Sequence, residues 1–346
     1  MQRDGALTRG LTLGKYAPLH RGHQLVIETA LAEMNETVVI VYDAAETTSV
    51  PLAVRSGWIR KLYPSVRVIE AWDGPTEVGY TPRLMRAHER YVIDSLDIRD
   101  VTHFYSSEPY GDHMSRALGA IDRRVDEARR RVPVSARDVR RDPFAHREYV
   151  DPLVYRDLIV NVALLGAPSS GKTTLAERLA GEFDTQWMPE FGREYREKHR
   201  VDRRLDPEQL VEIAEGHLER EDALLAQSNR YLFTDTNAIT TATFARYYHG
   251  AVEPRLAELA DAAVIRYDLT FVCDIDIPYD DTWDRSGEVN RAAFQRQVIG
   301  DLNARKVPFI TLRGTLDERV ARMSELLSRF SKYANVLEVL RDARGR

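Results

Sequence analysis

The sequence predicts an α/β protein of two doubly wound parallel-sheet domains in succession. Short β-rich runs alternate with segments of helical spacing along the whole chain. Each half opens with a strand that passes through a glycine-containing loop into a helix, at GKYAPLHRGH (14–23) and GAPSSGKT (166–173). The length of 346 residues exceeds one ordinary core, taking roughly 100–200 residues per domain.

In the first half the β-rich runs are LTLG, TVVIVY (37–42), VRVIEA (66–71) and THFYSS (102–107), with strand one starting by about Thr8. Apolar residues at helical spacing predict helices over 23–34, 52–62 and 82–96. The stretch 138–157, rich in Pro, Arg and Asp, reads as the end of the first domain plus a helical connector. The expected domains are therefore 1–156 and 157–346. A second alternation follows: strand LIVNVALLG, helices over 172–183 and 207–228, strand YLFT, and a helix over 237–248. Strand LTFVCDI, a helix over 289–304, strand VPFITL and a C-terminal helix complete it.

Hydrophobic residues make up 43% and charged residues 30% of the chain, values of an ordinary globular protein. A formal net charge of −5 argues against non-specific nucleic-acid binding and favours small anionic ligands at local basic sites. The Arg-rich stretch 122–147 reads as a solvated face, with its nearness to a phosphate site as a second reading. Cys273, the single cysteine, sits in an apolar run, so no internal disulfide and a reducing, cytoplasmic location are expected. No segment approaches the roughly 20 apolar residues of a membrane span, so no membrane insertion is expected. Oligomeric state, including a homo-oligomer, is open at this level.

In the first loop, Gly14 follows the strand and His20, Arg21, Gly22 and His23 lead into the helix, at the ligand edge of a parallel sheet. Gly22 allows close backbone approach, and the helix start offers free N–H groups to an anion. His20, His23 and Lys15 suit the role of hydrogen-bond donors and partial cations on a polyphosphate. Transfer of an adenylyl group to a phosphate acceptor needs this kind of positioning and no enzyme nucleophile. Mg²⁺ is an expected cofactor.

The second loop matches the GxxxxGK[ST] pattern in full. Gly166, Ser169, Ser170 and Gly171 form an N–H cradle, Lys172 reaches the outer phosphates of ATP, Thr173 is a Mg²⁺ ligand, and Thr174 is a further candidate for ATP binding. Asp235 ends a strand, where a carboxylate either orients an acceptor hydroxyl and Mg²⁺ or caps the next helix. Glu190, Arg193 and Asn237 are candidate acceptor-binding residues, and Arg285 is a candidate lid arginine or a surface ion-pair partner.

The first motif resembles the nucleotidyltransferase superfamily that contains nicotinamide mononucleotide (NMN) and phosphopantetheine adenylyltransferases. Their second signature, of Ser-x-Thr-x-x-Arg type, is best matched by VSARDVR, with Ser135 and Arg140 in the Ser and Arg places and Arg137 where Thr is usual. YSSEPYG resembles a segment of the bifunctional NadR type, which implies that Ser106, Ser107 and Glu108 hold nucleotide or substrate. The SSGK loop, the GRE segment, an aspartate after the next strand and an Arg-Ser lid are similar to the kinase half of that type.

The resemblance covers almost the whole chain. It implies a nucleotidyltransferase domain followed by a P-loop kinase domain: nicotinamide riboside is phosphorylated with ATP to NMN, and NMN is adenylylated to NAD and pyrophosphate. Some relatives carry an N-terminal helix-turn-helix, for which the early first strand leaves no room, so repressor activity is not expected. Two alternatives stay open: a coenzyme A synthase arrangement, and an active kinase joined to a domain that senses NMN or NAD without turnover.

Overall fold

In the computed structural model, which describes residues 7–77, 79–199, 204–278 and 291–333, the alternation becomes two separate sheets. The described residues divide into a unit of 7–155 with Tyr333 and a unit Arg156–Lys332. The first contains β1 (Arg9–Gly14), α1 (Arg21–Glu33), β2 (Glu36–Tyr42), α2 (Leu52–Leu62), β3 (Arg67–Ala71) and α3 (Pro82–Arg90). It continues with β4 (His103–Ser106), α4 (Gly111–Leu118), β5 (Ile121–Arg124) and α5 (Ala136–Arg141), and α6 (Pro152–Leu158) leads on.

The first sheet has the order β3-β2-β1-β4-β5, with every pair parallel. Strand order reverses beside β1, which opens the cleft where such sheets hold ligands. Leu11 stands in register with Val38 and Phe104. These residues share one face with Ile40 and Tyr42 and pack against Val92 and Met114. Tyr105 turns to the opposite face, where Val26 and Ala30 of α1 meet it. Each such burial contributes roughly 2 kcal/mol over an exposed side chain.

The second unit runs β6 (Val160–Leu165), α7 (Lys172–Glu182), β7 (Gln186–Met188), α8 (Phe191–His199), α9 (Pro207–Leu225), β8 (Tyr231–Asp235) and α10 (Ala238–His249). Then come α11 (Pro254–Ala262), β9 (Leu269–Cys273), α12 (Arg291–Ala304), β10 (Ile310–Leu312) and α13 (Leu316–Arg329). Its sheet order is β10-β9-β6-β8-β7, again all parallel. Every residue of β6 is buried, as a central strand covered on both faces requires. Val162 and Leu164 pack with α7 and α13 through Leu175, Leu179 and Met323. Ala163 and Leu165 face Ile213, Ala242 and Val298 of α9, α10 and α12.

Several sequence expectations need correction. The helix over 82–96 is α3 followed by a π-helical turn, Tyr91–Ser95, in which the Leu96 N–H reaches back to the Tyr91 carbonyl at 2.9 Å. The strand read from 307 begins only at Ile310. The stretch 122–147 is more than a solvated face, since its first residues belong to β5 and later ones line a cleft. Arg285 and the segment 279–287 lie outside the described residues.

Candidate active sites

The first site is a cleft of about 460 Å³ at the carboxyl edge of β1 and β4. His20, Gly22 and His23 line it together with Ser107 and Glu108 after β4, and Ser135, Arg137 and Arg140 at α5. Eight residues singled out in the sequence thus meet in one hollow. His20 caps α1: its Nδ1 accepts the Gly22 N–H at 3.0 Å, which leaves the proton of the neutral ring on Nε2. The His20 and His23 rings lie 4.0 Å apart between centroids. Gly22 is required here, because a Cβ would sit 2.8 Å from His20 Cε1.

Both imidazoles are neutral at pH 7. Burial, helped by the charges of Arg129 and Arg140, pushes His20 down to about 4. Burial and the neighbouring His20 ring hold His23 well below the ordinary value. This corrects the expectation of partial cations: the histidines are hydrogen-bond donors, and the positive charge comes from arginines.

Arg129 is a lining residue that the sequence reading left inside the charge run. The Asp126 carboxylate organises its loop by accepting the N–H groups of Arg130, Arg131 and Val132 at 2.9 to 3.1 Å. Arg129 itself takes a left-handed conformation, φ 49°, and faces Glu108 at 3.5 Å. Ser135 closes a capping box with Asp138, donating Oγ–H to the carboxylate at 2.6 Å. Arg140 donates to the Ala17 carbonyl, which ties α5 to the loop before His20.

Three expected members stand apart from the lining. Lys15 pairs with Glu46 and donates to Thr47 Oγ1 at 3.1 Å. Ser106 is buried and donates to the Glu108 carbonyl at 3.2 Å, so it shapes the turn. Gly14 lies against the Tyr16 ring. Arg55, unsuspected from the sequence, is fully buried on α2 and donates to the carbonyls of Lys15 and of Tyr42, the latter at 2.8 Å.

The second site is the loop between β6 and α7. Gly166 (φ 137°) and Gly171 (φ 83°) take conformations that a side chain resists, and a Cβ on Gly166 would lie 2.6 Å from the Cys273 carbonyl oxygen. Lys172 is buried and its Nζ donates to the Ala167 carbonyl at 3.0 Å. Thr173 donates its hydroxyl to Asp235, whose side chain is fully buried at the end of β8. Thr174 is exposed on α7. Among the described residues no cluster of three or more His, Cys, Asp and Glu side chains forms a ready-made metal site. A hydroxyl beside a carboxylate, both hard oxygen donors, nevertheless fits Mg²⁺ that takes its remaining ligands from phosphates and water.

Glu190 follows β7. Burial and the nearby Asp235 carboxylate raise its pKa, against the opposing pull of Lys172 and Arg193. These four residues form one electrostatic group around the loop. Asn237 is the helix cap of α10, accepting the N–H groups of Ile239 and Thr240 at 3.0 and 3.4 Å. Its carbonyl end is therefore used structurally, which removes the capping alternative from Asp235.

A family model described as an AAA domain matches residues 161–319. The trifunctional NAD biosynthesis/regulator protein NadR of Salmonella typhimurium (strain LT2) is 26% identical over 339 residues, covering 92% of this chain and 82% of the relative. NadR of Escherichia coli (strain K12) is 26% identical over 342 residues, with the same coverage. Crystal structures of a NadR protein in complex with NAD and AMP-PNP, and in complex with NR, each superpose with a TM-score of 0.55 at 21% identity, covering 93% of this chain and 96% of the other. They show that the fold is shared. Among the described residues no helix is long and apolar enough to cross a membrane. Sequence similarity to the NadR proteins runs along 92% of this chain.

Proposed function

We propose that the chain is a bifunctional enzyme of NAD salvage. The second unit transfers the γ-phosphoryl group of ATP to nicotinamide riboside, and the first joins the resulting NMN to the adenylyl group of ATP, giving NAD and pyrophosphate. The observation that carries this reading is the pairing of a two-histidine, three-arginine cleft with a complete P-loop in a chain that aligns with NadR relatives over 92% of its length.

In the first unit NMN supplies the attacking phosphate oxygen, so the protein has anions to position and no nucleophile to provide. The His20 Nε2–H is a neutral donor toward the triphosphate, while Arg129, Arg137 and Arg140 supply charge. In the second unit the loop N–H groups and Lys172 hold the triphosphate. Mg²⁺, when bound, neutralises phosphate charge, and Thr173 with Asp235 would hold it. Asp235 is engaged with Thr173, which leaves Glu190 as the carboxylate for the acceptor hydroxyl, with Arg193 beside it.

One observation favours the reading in which the first unit binds without turnover: Asp138 brings a carboxylate into the anion cleft and occupies the Ser135 hydroxyl. A single time course decides. With nicotinamide riboside, ATP and Mg²⁺, NMN should appear first and NAD with pyrophosphate after it. NMN accumulating with no NAD sinks the adenylyltransferase half, and ATP consumption driven by dephospho-coenzyme A in place of the riboside sinks the whole assignment.

A further inference from the structure

Residues of α12 and α13 that belong to no phosphate-binding motif hold main-chain carbonyls of the P-loop. Arg319, only 2% exposed, donates to the Ser170 carbonyl at 2.7 Å, the Gly314 carbonyl at 3.0 Å and the Asp274 carbonyl at 3.2 Å, and pairs with Asp276. The other oxygen of Asp276 accepts the Gly314 N–H at 2.6 Å. Arg291 donates to the carbonyls of Ser169 and Ile277, both at 2.8 Å. The loops after β6, β9 and β10 are thereby tied together at one sheet edge.

A trans peptide is planar, with its C=O and N–H pointing in opposite directions across the C–N bond. A donor that holds the Ser169 carbonyl therefore fixes the Ser170 N–H in the direction away from that donor. The hold on the Ser170 carbonyl does the same for the Gly171 N–H. Ser169 is a non-glycine residue at φ 59°, a left-handed conformation that side chains resist. Four of the five N–H donors of the Arg319 guanidinium are engaged by carbonyls and by Asp276, so the side chain acts chiefly on the loop backbone.

We infer that Arg319 and Arg291 are positioning residues of the P-loop, acting through the Ser170 and Ser169 carbonyls to aim the Gly171 and Ser170 N–H groups at a bound triphosphate, with Asp276 fixing the Arg319 fork. The inference rests on reading the second unit as an ATP site and does not depend on the identity of the phosphoryl acceptor.

The test uses the full chain and Mg·ATP, taking as P-loop binding the part lost in Lys172→Ala. Arg319→Lys keeps the charge but loses the planar fork, so affinity should fall roughly tenfold or more. The double variant Arg319→Met with Asp276→Asn removes the buried charge of Arg319 together with its more exposed partner: it should regain the thermal midpoint without regaining affinity, and methylguanidine should partly restore binding to Arg319→Ala. Recovery of affinity together with the midpoint in the double variant overturns the inference, as does a change of less than about twofold in Arg319→Lys. Wild-type chain that binds Mg·ATP at the P-loop yet leaves nicotinamide riboside unphosphorylated refutes the acceptor assignment and leaves the clamp standing. Absence of any Lys172-dependent binding refutes both.

Discussion

Replacing His20 by asparagine separates the two tasks that this side chain performs. Asparagine is among the best residues at a helix N-cap, so it can accept the Gly22 N–H as the imidazole does. It has no proton to gain between pH 7 and 4 and no Nε2–H to offer a phosphate. In the unfolded chain His20 takes up a proton near 6.5, whereas in the folded protein burial delays this to about 4. Between those values the unfolded state binds more protons, so stability falls as pH falls. The loss begins below 6.5 and is complete below about 4. At about 1.4 kcal/mol per pH unit it amounts to about 3 kcal/mol. His20→Asn should therefore unfold with a visibly weaker acid dependence in a urea series run from pH 7 to pH 4, and the imidazole resonance missing from its NMR spectrum identifies His20 in the wild type. Superimposable pH profiles for the two proteins, or a wild-type resonance that titrates near 6.5, refute the argument. The same variant should lose about 10²–10³-fold in adenylylation for want of one preorganised donor, while riboside phosphorylation is retained.

Lys172→Ala should abolish riboside phosphorylation and spare adenylylation of supplied NMN, and His23→Ala should do the reverse; loss of both activities in either variant, read by following NMN and NAD separately, argues against independent sites. Gly22→Ala should lower adenylylation by about tenfold or more, since a Cβ 2.8 Å from His20 forces the ring off its phosphate-facing position; unchanged rates would show that the ring can shift freely. Glu190→Gln should lower kcat of the kinase about 10²–10⁴-fold with little change in ATP affinity, whereas Asp235→Asn should chiefly raise the Mg²⁺ concentration needed for half-maximal rate. The opposite pattern would exchange the roles of the two carboxylates.

Central strands were legible because burial on both faces demands near-continuous apolar runs, as in Val160–Leu165 with Asn161 as its one polar residue. Two of the edge strands were not. Ile121–Arg124 alternates exposed and half-buried residues, and Gln186–Met188 is three residues long, so neither carries a pattern that pairing alone imposes. The helix Phe191–His199 hid behind a charged face, and its single buried residue, Tyr195, gives no periodicity to read. Site residues fixed by local geometry, such as His20 at its cap and Gly171 in its left-handed turn, were visible because spacing encodes them. Arg129 was lost in a run of arginines, and only the Asp126 turn, which folds the chain back on itself, picks it out from its neighbours.

The least legible residues share one physical trait. Arg55 donates to the carbonyls of Lys15 and Tyr42, and Arg319 to those of Ser170, Gly314 and Asp274. Main-chain carbonyls are present at every position, so these bonds leave no signature in the partner sequence. Both arginines are buried, and each stands behind the loop that follows the first strand of its own sheet. An anion site made of main-chain N–H groups is polarised toward its ligand only while the carbonyls at its back are satisfied elsewhere. Water would satisfy them without fixing their direction. A buried guanidinium does both, because its donors have a rigid planar arrangement, and in each unit the residue that shapes the loop is thus far in sequence from the motif it serves.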